Sequence, residues 1–389
     1  MPPTQPPLST TLPPLVCGTA TFNDQYNTDA YAVPTNAIIR RALDLGVRAF
    51  DTSPYYGPSE SLLGAALSAV SASYPRSSYH ILTKVGRIGG SEFDYSPEWV
   101  RYSVQRSLQR LGTKYLDVVY CHDVEFVTAA EVLVAVKELR RIRDQEGTVK
   151  YVGISGYPVP LLCELAELVL KETGEPLDAV MSYANFTLQN TTLLSVGIER
   201  LKAAGVSVVP NASPLGMGLL RSKGVPVGGK GDFHPAPREL RAKAMEAAKF
   251  VKARGEKLEV VAIRWALERW ARDAATVGGI GAIGISVMGC SNLEELDETM
   301  GVWNSVLDGL PVPGRQVEQA KAEWSLARRK EIEAMADGIW SILGSLKDYA
   351  WASPDEGYVN IRTVKGVVDE FAPLPEISQD KDMSKSSRL

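Results

Sequence analysis

Histidine and cysteine are both scarce in this chain of 389 residues, which contains three histidines and four cysteines. Cys17, Cys121, Cys163 and Cys290 lie far apart without a C-x-x-C pair, and three of them lie in or beside apolar runs. We therefore expect buried, reduced thiols in an intracellular protein. With so few histidines, no metal site of His and Cys ligands is expected.

The sequence also lacks a large charge excess and long apolar segments. Its 42 basic and 46 acidic side chains give a net charge of −4, which argues against nucleic acid or an anionic membrane as partner. No apolar run reaches the roughly 18 residues of a membrane-spanning helix. Residues 1–14 lack the basic start and apolar core of a signal peptide, so we interpret them as a Pro-rich arm of a cytoplasmic protein.

What the chain does contain is a regular alternation of two patterns. Short runs rich in Val and Ile begin at residues 15, 47, 80, 116, 151, 179, 206 and 282, and segments of helical period fill 35–46, 96–112, 128–147, 156–174 and 188–205. Runs that are apolar on both faces are typical of a buried parallel sheet. The α/β pattern predicts a (β/α)8 TIM barrel with a C-terminal helical extension, and a doubly wound sheet is the alternative.

The same patterns set the expected domain limits. Residues 15–350 are predicted to form a single barrel domain with C-terminal helices near 315–346, after the N-terminal arm. Residues 216–237, rich in Gly and Pro, form a long loop of the kind that often serves as a lid. Residues 351–389 are predicted to be a C-terminal loop and a disordered tail.

Ionisable side chains end three successive apolar runs. Asp51 ends the second run and Tyr56 follows in its loop, Lys84 ends the third, and His122 ends the fourth. The C-terminal ends of barrel strands meet at one rim, where these groups would converge. An ammonium held by a carboxylate favours the phenolate of a tyrosine, and histidine can orient a substrate oxygen. The group suits carbonyl–alcohol interconversion with a hydride carrier.

Four stretches that contain these residues are "FDTSPYYGPSESLLGAAL", "ILTKVGR", "DVVYCHD" and "YVGISGY". They resemble the aldo-keto reductase family, and the resemblance extends from about residue 15 to 300. It implies a barrel that binds a nicotinamide cofactor without a Rossmann domain. It further implies that Asp51, Tyr56, Lys84 and His122 are the catalytic tetrad, with Tyr56 as the group that exchanges the proton.

The resemblance also implies a cofactor site, with a pyrophosphate segment "NASPLGMGLL" and an adenosine segment from residue 285 to 300. NADP-using relatives commonly carry a lysine and an arginine where this chain has Gly289 and Glu295, so NAD is the expected cofactor. Alternatively, Glu295 only favours the first turn of a helix. Ala212 replaces a tyrosine that commonly stacks on nicotinamide. The predicted cofactor-binding residues are Ser155, Ser182, Ser213, Pro214, Leu215, Gly216, Gly218, Gly289, Cys290, Ser291, Asn292 and Glu295.

The chain departs from the common family pattern at several positions, such as Gly156 after Ser155. At these positions it resembles the aldose 1-dehydrogenase branch of the family. The resemblance implies NAD-dependent oxidation of a small-molecule aldose, of the D-arabinose or L-galactose type, at C1 to the lactone. Asn23, Tyr55 and Asp123 are the candidate substrate residues. Two other functions stay open: an NADPH-dependent aldehyde or ketone reductase with the same tetrad, and a cofactor-binding regulatory subunit with little turnover.

Overall fold

The computed structural model describes residues 5–225, 228, 231, 233–274 and 284–366. Eight parallel strands follow one another in chain order around a closed barrel, and β8 pairs with β1 to complete it. The predicted (β/α)8 fold is confirmed. The strands are β1 Leu15–Gly18, β2 Ala49–Asp51, β3 His80–Val85, β4 Leu116–His122, β5 Val149–Gly156, β6 Ala179–Tyr183, β7 Asn211–Ala212 and β8 Ser286–Gly289.

The helices surround the barrel and extend it at the C-terminal side. They are α1 Thr35–Asp44, α2 Ser59–Ala69, α3 Pro97–Arg110, α4 Ala129–Glu146, α5 Val159–Thr173, α6 Ile198–Ala203, α7 Arg238–Lys252, α8 Leu258–Asp273, α9 Leu293–Asp308 and α10 Gln319–Leu343. Local signals explain several of their starts: Ser96 caps α3, and Thr128 and Glu131 form a capping box at α4. None of these helices is long and apolar enough to cross a bilayer.

The alternation of side chains along each strand separates two apolar cores. Leu82, Val118 and Met181 belong to the cluster inside the barrel. Their neighbours Ile81, Val119 and Val180 belong to the larger cluster between the strands and the helices. Burial on both faces is what the apolar runs predict for a parallel sheet.

Two elements differ from their predicted extent. β7 contains only Asn211 and Ala212, although the apolar run begins at residue 206. Pro210 lies in this run and has no N–H to donate to a neighbouring strand, which limits the ladder on its N-terminal side to a single bridge at Val208. The helix predicted over 188–205 starts later, as a π-helical turn at Leu193–Gly197 that continues into α6.

The chain returns to the barrel after α10. Trp351 stacks on Tyr157 at 4.6 Å between ring centroids, and Asn360 exchanges hydrogen bonds with the backbone of Phe93 in the loop after β3. Arg362 forms ion pairs with acidic residues of the same loop. Residues 351–366 therefore contribute to the rim at the C-terminal ends of the strands. Residues 367–389 of the predicted C-terminal loop and tail lie outside the described residues, as do parts of the 216–237 loop.

Candidate active site

The C-terminal ends of the strands surround a cavity of about 1570 Å³. Its wall includes the ends of strands β1 to β8, the loop after β7 and the returning segment at 351–358. Sites for drug-sized ligands usually measure roughly 300–1,000 Å³. This cavity therefore has room for a dinucleotide together with a small substrate.

Three of the predicted tetrad residues are in direct contact at the bottom of the cavity. Asp51 is the last residue of β2 and Lys84 lies near the end of β3, and both are at least 96% buried. Lys84 Nζ donates to Asp51 Oδ1 at 2.7 Å and to the carbonyl of Thr52 at 2.9 Å. The ammonium lies 4.8 Å from the centre of the Tyr56 ring. The short loop after β2 brings Tyr56 to this ion pair.

The electrostatics of Tyr56 combine two opposing effects. Burial raises the pKa of its hydroxyl above the usual value, and the charge of Lys84 works in the opposite direction. Burial also disfavours the charge on Lys84, but Asp51 and Tyr56 outweigh it and the pKa of Lys84 is raised. Lys84 thus keeps its proton and limits the increase in the pKa of Tyr56. The sequence predicts the effect of Lys84 but not the larger effect of burial.

His122 ends β4 and faces the same cavity. Its ring is nearly perpendicular to that of Tyr56, with 5.7 Å between centroids. Nδ1 lies 3.0 Å from the hydroxyl of Ser53, while Nε2 lies 3.6 Å from a carboxylate oxygen of Asp123. Burial lowers the pKa of His122 to about 3. The imidazole is therefore neutral at physiological pH and can act as a hydrogen-bond donor to a substrate oxygen.

A second charged group lines the wall beside His122. Asp123, in left-handed backbone geometry with φ of 55°, forms an ion pair with Arg87. Arg87 also donates to the Tyr55 hydroxyl at 3.0 Å, and its guanidinium lies 3.8 Å from the centre of the Tyr55 ring. Burial opposes the charge of Asp123, but His122 and Arg87 lower its pKa below the usual value. Tyr55 and Asp123 were predicted substrate residues, whereas sequence reasoning missed Arg87 although it ends the "ILTKVGR" stretch.

The third predicted substrate residue, Asn23, also lines the cavity. Its side-chain oxygen accepts hydrogen bonds from the backbone N–H groups of Gln25 and Tyr26, so it shapes the loop after β1. Nearby aromatic side chains of Tyr26 and Phe233 are in edge contact at 5.6 Å.

Most of the predicted cofactor-binding residues line the cavity, but three do not. Ser155, Ser213, Pro214, Leu215, Gly218, Gly289, Ser291, Asn292 and Glu295 belong to its wall, whereas Ser182, Gly216 and Cys290 do not. Ser182 alternates with Met181 and Tyr183, which both line the cavity, and its hydroxyl donates to the carbonyl of Tyr157 behind the wall. Gly216 accepts from His234, and Cys290 packs beside Cys17 behind the wall.

The side chain of Glu295 is held from two directions. One carboxylate oxygen accepts the N–H of Ser291 at 2.8 Å, and the other forms an ion pair with Arg221. Asn292 caps α9 by accepting the N–H of Glu295 at 2.9 Å. Arg221 comes from the loop after β7, and no sequence motif connects it with Glu295. Glu295 therefore belongs to the capped first turn of α9 and also lies in the cavity wall.

Two departures from the family pattern have local explanations. A Cβ on Gly156 would lie 2.4 Å from Oε2 of the buried Glu125, so the glycine makes room for this carboxyl group. Ala212 pairs in register with Tyr183 of β6, whose ring lines the cavity. Tyr183 is thus the aromatic side chain next to the position where the family commonly has a tyrosine.

Comparisons with known proteins are consistent with this geometry. A model of the aldo/keto reductase family matches residues 14–309. D-arabinose 1-dehydrogenase of Saccharomyces cerevisiae is 45% identical over 285 residues, which cover 73% of this chain and 80% of that protein. L-galactose dehydrogenase of Arabidopsis thaliana is 34% identical over 280 residues, 70% of this chain and 83% of that protein. D-threo-aldose 1-dehydrogenase of a Pseudomonas species is 25% identical over 272 residues, 62% and 78% of the two chains.

Proposed function

The chain belongs to the aldo/keto reductase family, and on this premise we propose that it oxidises an aldose at C1 to the lactone with NAD as hydride acceptor. The observation that carries the proposal is the contact among four side chains in the cavity. Lys84 Nζ donates to Asp51 and lies 4.8 Å from the centre of the Tyr56 ring, and the His122 ring lies 5.7 Å from that of Tyr56. We assign these four residues as the catalytic tetrad.

The roles of the four side chains follow from their environments. His122, neutral because of burial, donates a hydrogen bond to the oxygen at C1 and orients it. Tyr56 accepts the hydroxyl proton, and Lys84 stabilises the phenolate that does so. Asp51 holds Lys84 in place. A bound nicotinamide would supply the hydride acceptor, and loss of one hydride and one proton from the C1 alcohol would give the lactone.

An aldose is the proposed substrate for two reasons. Three relatives carry aldose or sugar dehydrogenase names, namely D-arabinose 1-dehydrogenase, L-galactose dehydrogenase and D-threo-aldose 1-dehydrogenase. The wall formed by Arg87, Asp123 and Tyr55 also offers donors, acceptors and an aromatic face close to His122. Such a combination suits the hydroxyl groups and the apolar face of a sugar.

NAD is the proposed cofactor because Gly289 and Glu295 occupy the two positions where NADP-using relatives commonly carry a lysine and an arginine. Gly289 has no side chain, Arg221 is paired with Glu295, and Lys257 is paired with Glu298 at 2.8 Å. A 2′-phosphate needs cations that are not already engaged. Glu295 can instead accept a hydrogen bond from the ribose 2′-hydroxyl of NAD.

A panel of aldoses assayed with NAD and with NADP tests the proposed function. We expect NADH formation with D-arabinose or L-galactose and a higher kcat/KM for NAD than for NADP. A protein that reduces simple aldehydes with NADPH and leaves all aldoses unoxidised would instead be a reductase of the same family. Identification of the sugar product as a lactone completes the assignment of the reacting carbon.

A further inference from the structure

Ser53 is a fully buried residue that has no assigned role. It lies on the loop after β2, two residues beyond Asp51, and is 0% exposed. Its hydroxyl oxygen accepts the backbone N–H of Tyr55 at 3.1 Å and lies 3.0 Å from Nδ1 of His122. Ser53 thus connects the loop that carries Tyr56 with the histidine at the end of β4.

The direction of the hydrogen bond between Ser53 and His122 follows from a count of donors and acceptors. The hydroxyl oxygen already accepts from Tyr55, so the hydroxyl proton needs an acceptor of its own. Among the residues that the structure describes, Nδ1 of His122 is the acceptor within hydrogen-bond distance, and full burial keeps solvent water away. A buried hydroxyl proton without an acceptor would be costly, so Ser53 donates and Nδ1 carries no hydrogen.

We propose that Ser53 is a positioning residue that holds His122 in the tautomer with its hydrogen on Nε2, so that His122 acts only as a hydrogen-bond donor to the C1 oxygen of the aldose. This inference rests on the proposed function of the cavity. Nε2 lies on the side of the ring toward the carboxylate of Asp123, at 3.6 Å, which also favours a hydrogen at Nε2. Because Nδ1 is occupied and Nε2 is protonated, His122 has no free lone pair for a substrate proton. Proton acceptance is therefore left to Tyr56.

The tautomer is measurable without any turnover, which separates this inference from the proposed function. The chain has three histidines, so a spectrum of the protein labelled with 15N in histidine contains few signals. The variants His80→Gln and His234→Gln each remove the signals of one histidine. The pair of signals that remains in both spectra belongs to His122. We expect a protonated Nε2 and an unprotonated, hydrogen-bonded Nδ1 across neutral pH. A protonated Nδ1 in the wild-type protein would overturn the inference even if the enzyme oxidises aldoses.

Variants of Ser53 link the tautomer to the reaction. In Ser53→Ala, the Nδ1 signal should leave its hydrogen-bonded position and kcat should fall about five- to tenfold, the effect of one hydrogen bond, with the KM for NAD unchanged. Ser53→Thr keeps a hydroxyl and should restore both the signal and most of kcat.

Ser59→Ala is the matched control, because Ser59 is equally buried, belongs to the same chain segment, and bonds Thr19 and Thr52 but not His122. It should leave the His122 signals in place. An Nδ1 signal that is the same in Ser53→Ala and in the wild type would contradict the proposed contact. If Ser53→Ala does not fold, the wild-type spectrum and Ser53→Thr still decide the question.

Discussion

The charge of Lys84 opposes the larger effect of burial on the pKa of Tyr56. Oxidation requires the phenolate, so the rate should rise with pH until the pKa of Tyr56 is reached, and burial places this pKa above the usual value. Lys84→Met removes the charge that opposes burial and should move the pH–kcat/KM profile to higher pH by about 1–2 units. Asp51→Asn removes a carboxylate that itself raises the pKa of Tyr56, so it should not produce this shift to higher pH. Steady-state assays across an alkaline pH range measure both.

Lys150→Met is the matched control for this experiment. Lys150 also pairs with an aspartate, Asp117 at 3.0 Å, but this pair lies near the N-terminal ends of β4 and β5, away from the cavity. Its removal should leave the profile unchanged. A Lys84→Met profile that coincides with the wild type would show that Lys84 does not act on Tyr56.

Glu125 is a buried acid whose ionisation should affect the stability of the fold. Burial raises its pKa to about 8, while Tyr157 N–H and the Ser353 hydroxyl donate to one of its oxygens. The folded state therefore retains a proton that the unfolded chain releases near its ordinary pKa. The contribution of Glu125 to the free energy of unfolding is fully present below about pH 4.5 and is lost as the pH rises to about 8.

Glu125→Gln keeps the accepting oxygen and cannot ionise, so its stability should not decline in this window. Urea unfolding at about pH 5 and about pH 9 should show a decline for the wild type that exceeds that of the variant by on the order of 2–4 kcal/mol. The exposed Glu164→Gln serves as control and should behave like the wild type. Equal declines in the wild type and Glu125→Gln would mean that Glu125 is ionised in the fold at neutral pH.

At the scale of elements, the loop after β7 and the first turn of α9 are joined by the Arg221–Glu295 ion pair. In Glu295→Gln, Arg221 loses its partner and can meet a 2′-phosphate, so the proposed preference for NAD over NADP should narrow. Because the pair is partly exposed and screened, we expect a change of about fivefold in the ratio of the kcat/KM values. Arg221→Ala should have the opposite effect and increase the preference for NAD over NADP. An unchanged ratio in both variants would remove this pair from cofactor selection.

Local sequence signals predicted the elements well where one residue type has a strong local effect. The capping box at Thr128 and Glu131 and the cap at Ser96 act within one turn, so the starts of α4 and α3 are readable from the sequence. β7 was predicted too long because its apolar composition resembles a strand, whereas Pro210 interrupts the ladder. Ser182 is one of the predicted cofactor-binding residues, but the two-residue period of β6 turns it away from the cavity.

At the scale of the whole molecule, the contacts that sequence reasoning missed join distant parts of the chain. Arg87 after β3 pairs with Asp123 after β4, and Arg221 after β7 pairs with Glu295 in α9. Asn360, which follows α10, bonds Phe93 in the loop after β3. No periodicity or spacing encodes such pairs, because they depend on how the completed barrel brings its loops together. The strand-end residues were predictable for the opposite reason, since every parallel barrel places strand ends at one rim.

We propose that Tyr56, supported by Lys84 and oriented against His122, exchanges the proton during NAD-dependent oxidation of an aldose. The most direct test is the rate of NADH formation from D-arabinose or L-galactose by the wild type and by Tyr56→Phe, with NAD binding measured separately. We predict aldose-dependent NADH formation by the wild type, and a loss of about 100- to 10,000-fold in kcat for Tyr56→Phe with NAD affinity preserved. A Tyr56→Phe protein that keeps more than about a tenth of wild-type turnover would show that Tyr56 does not exchange the proton.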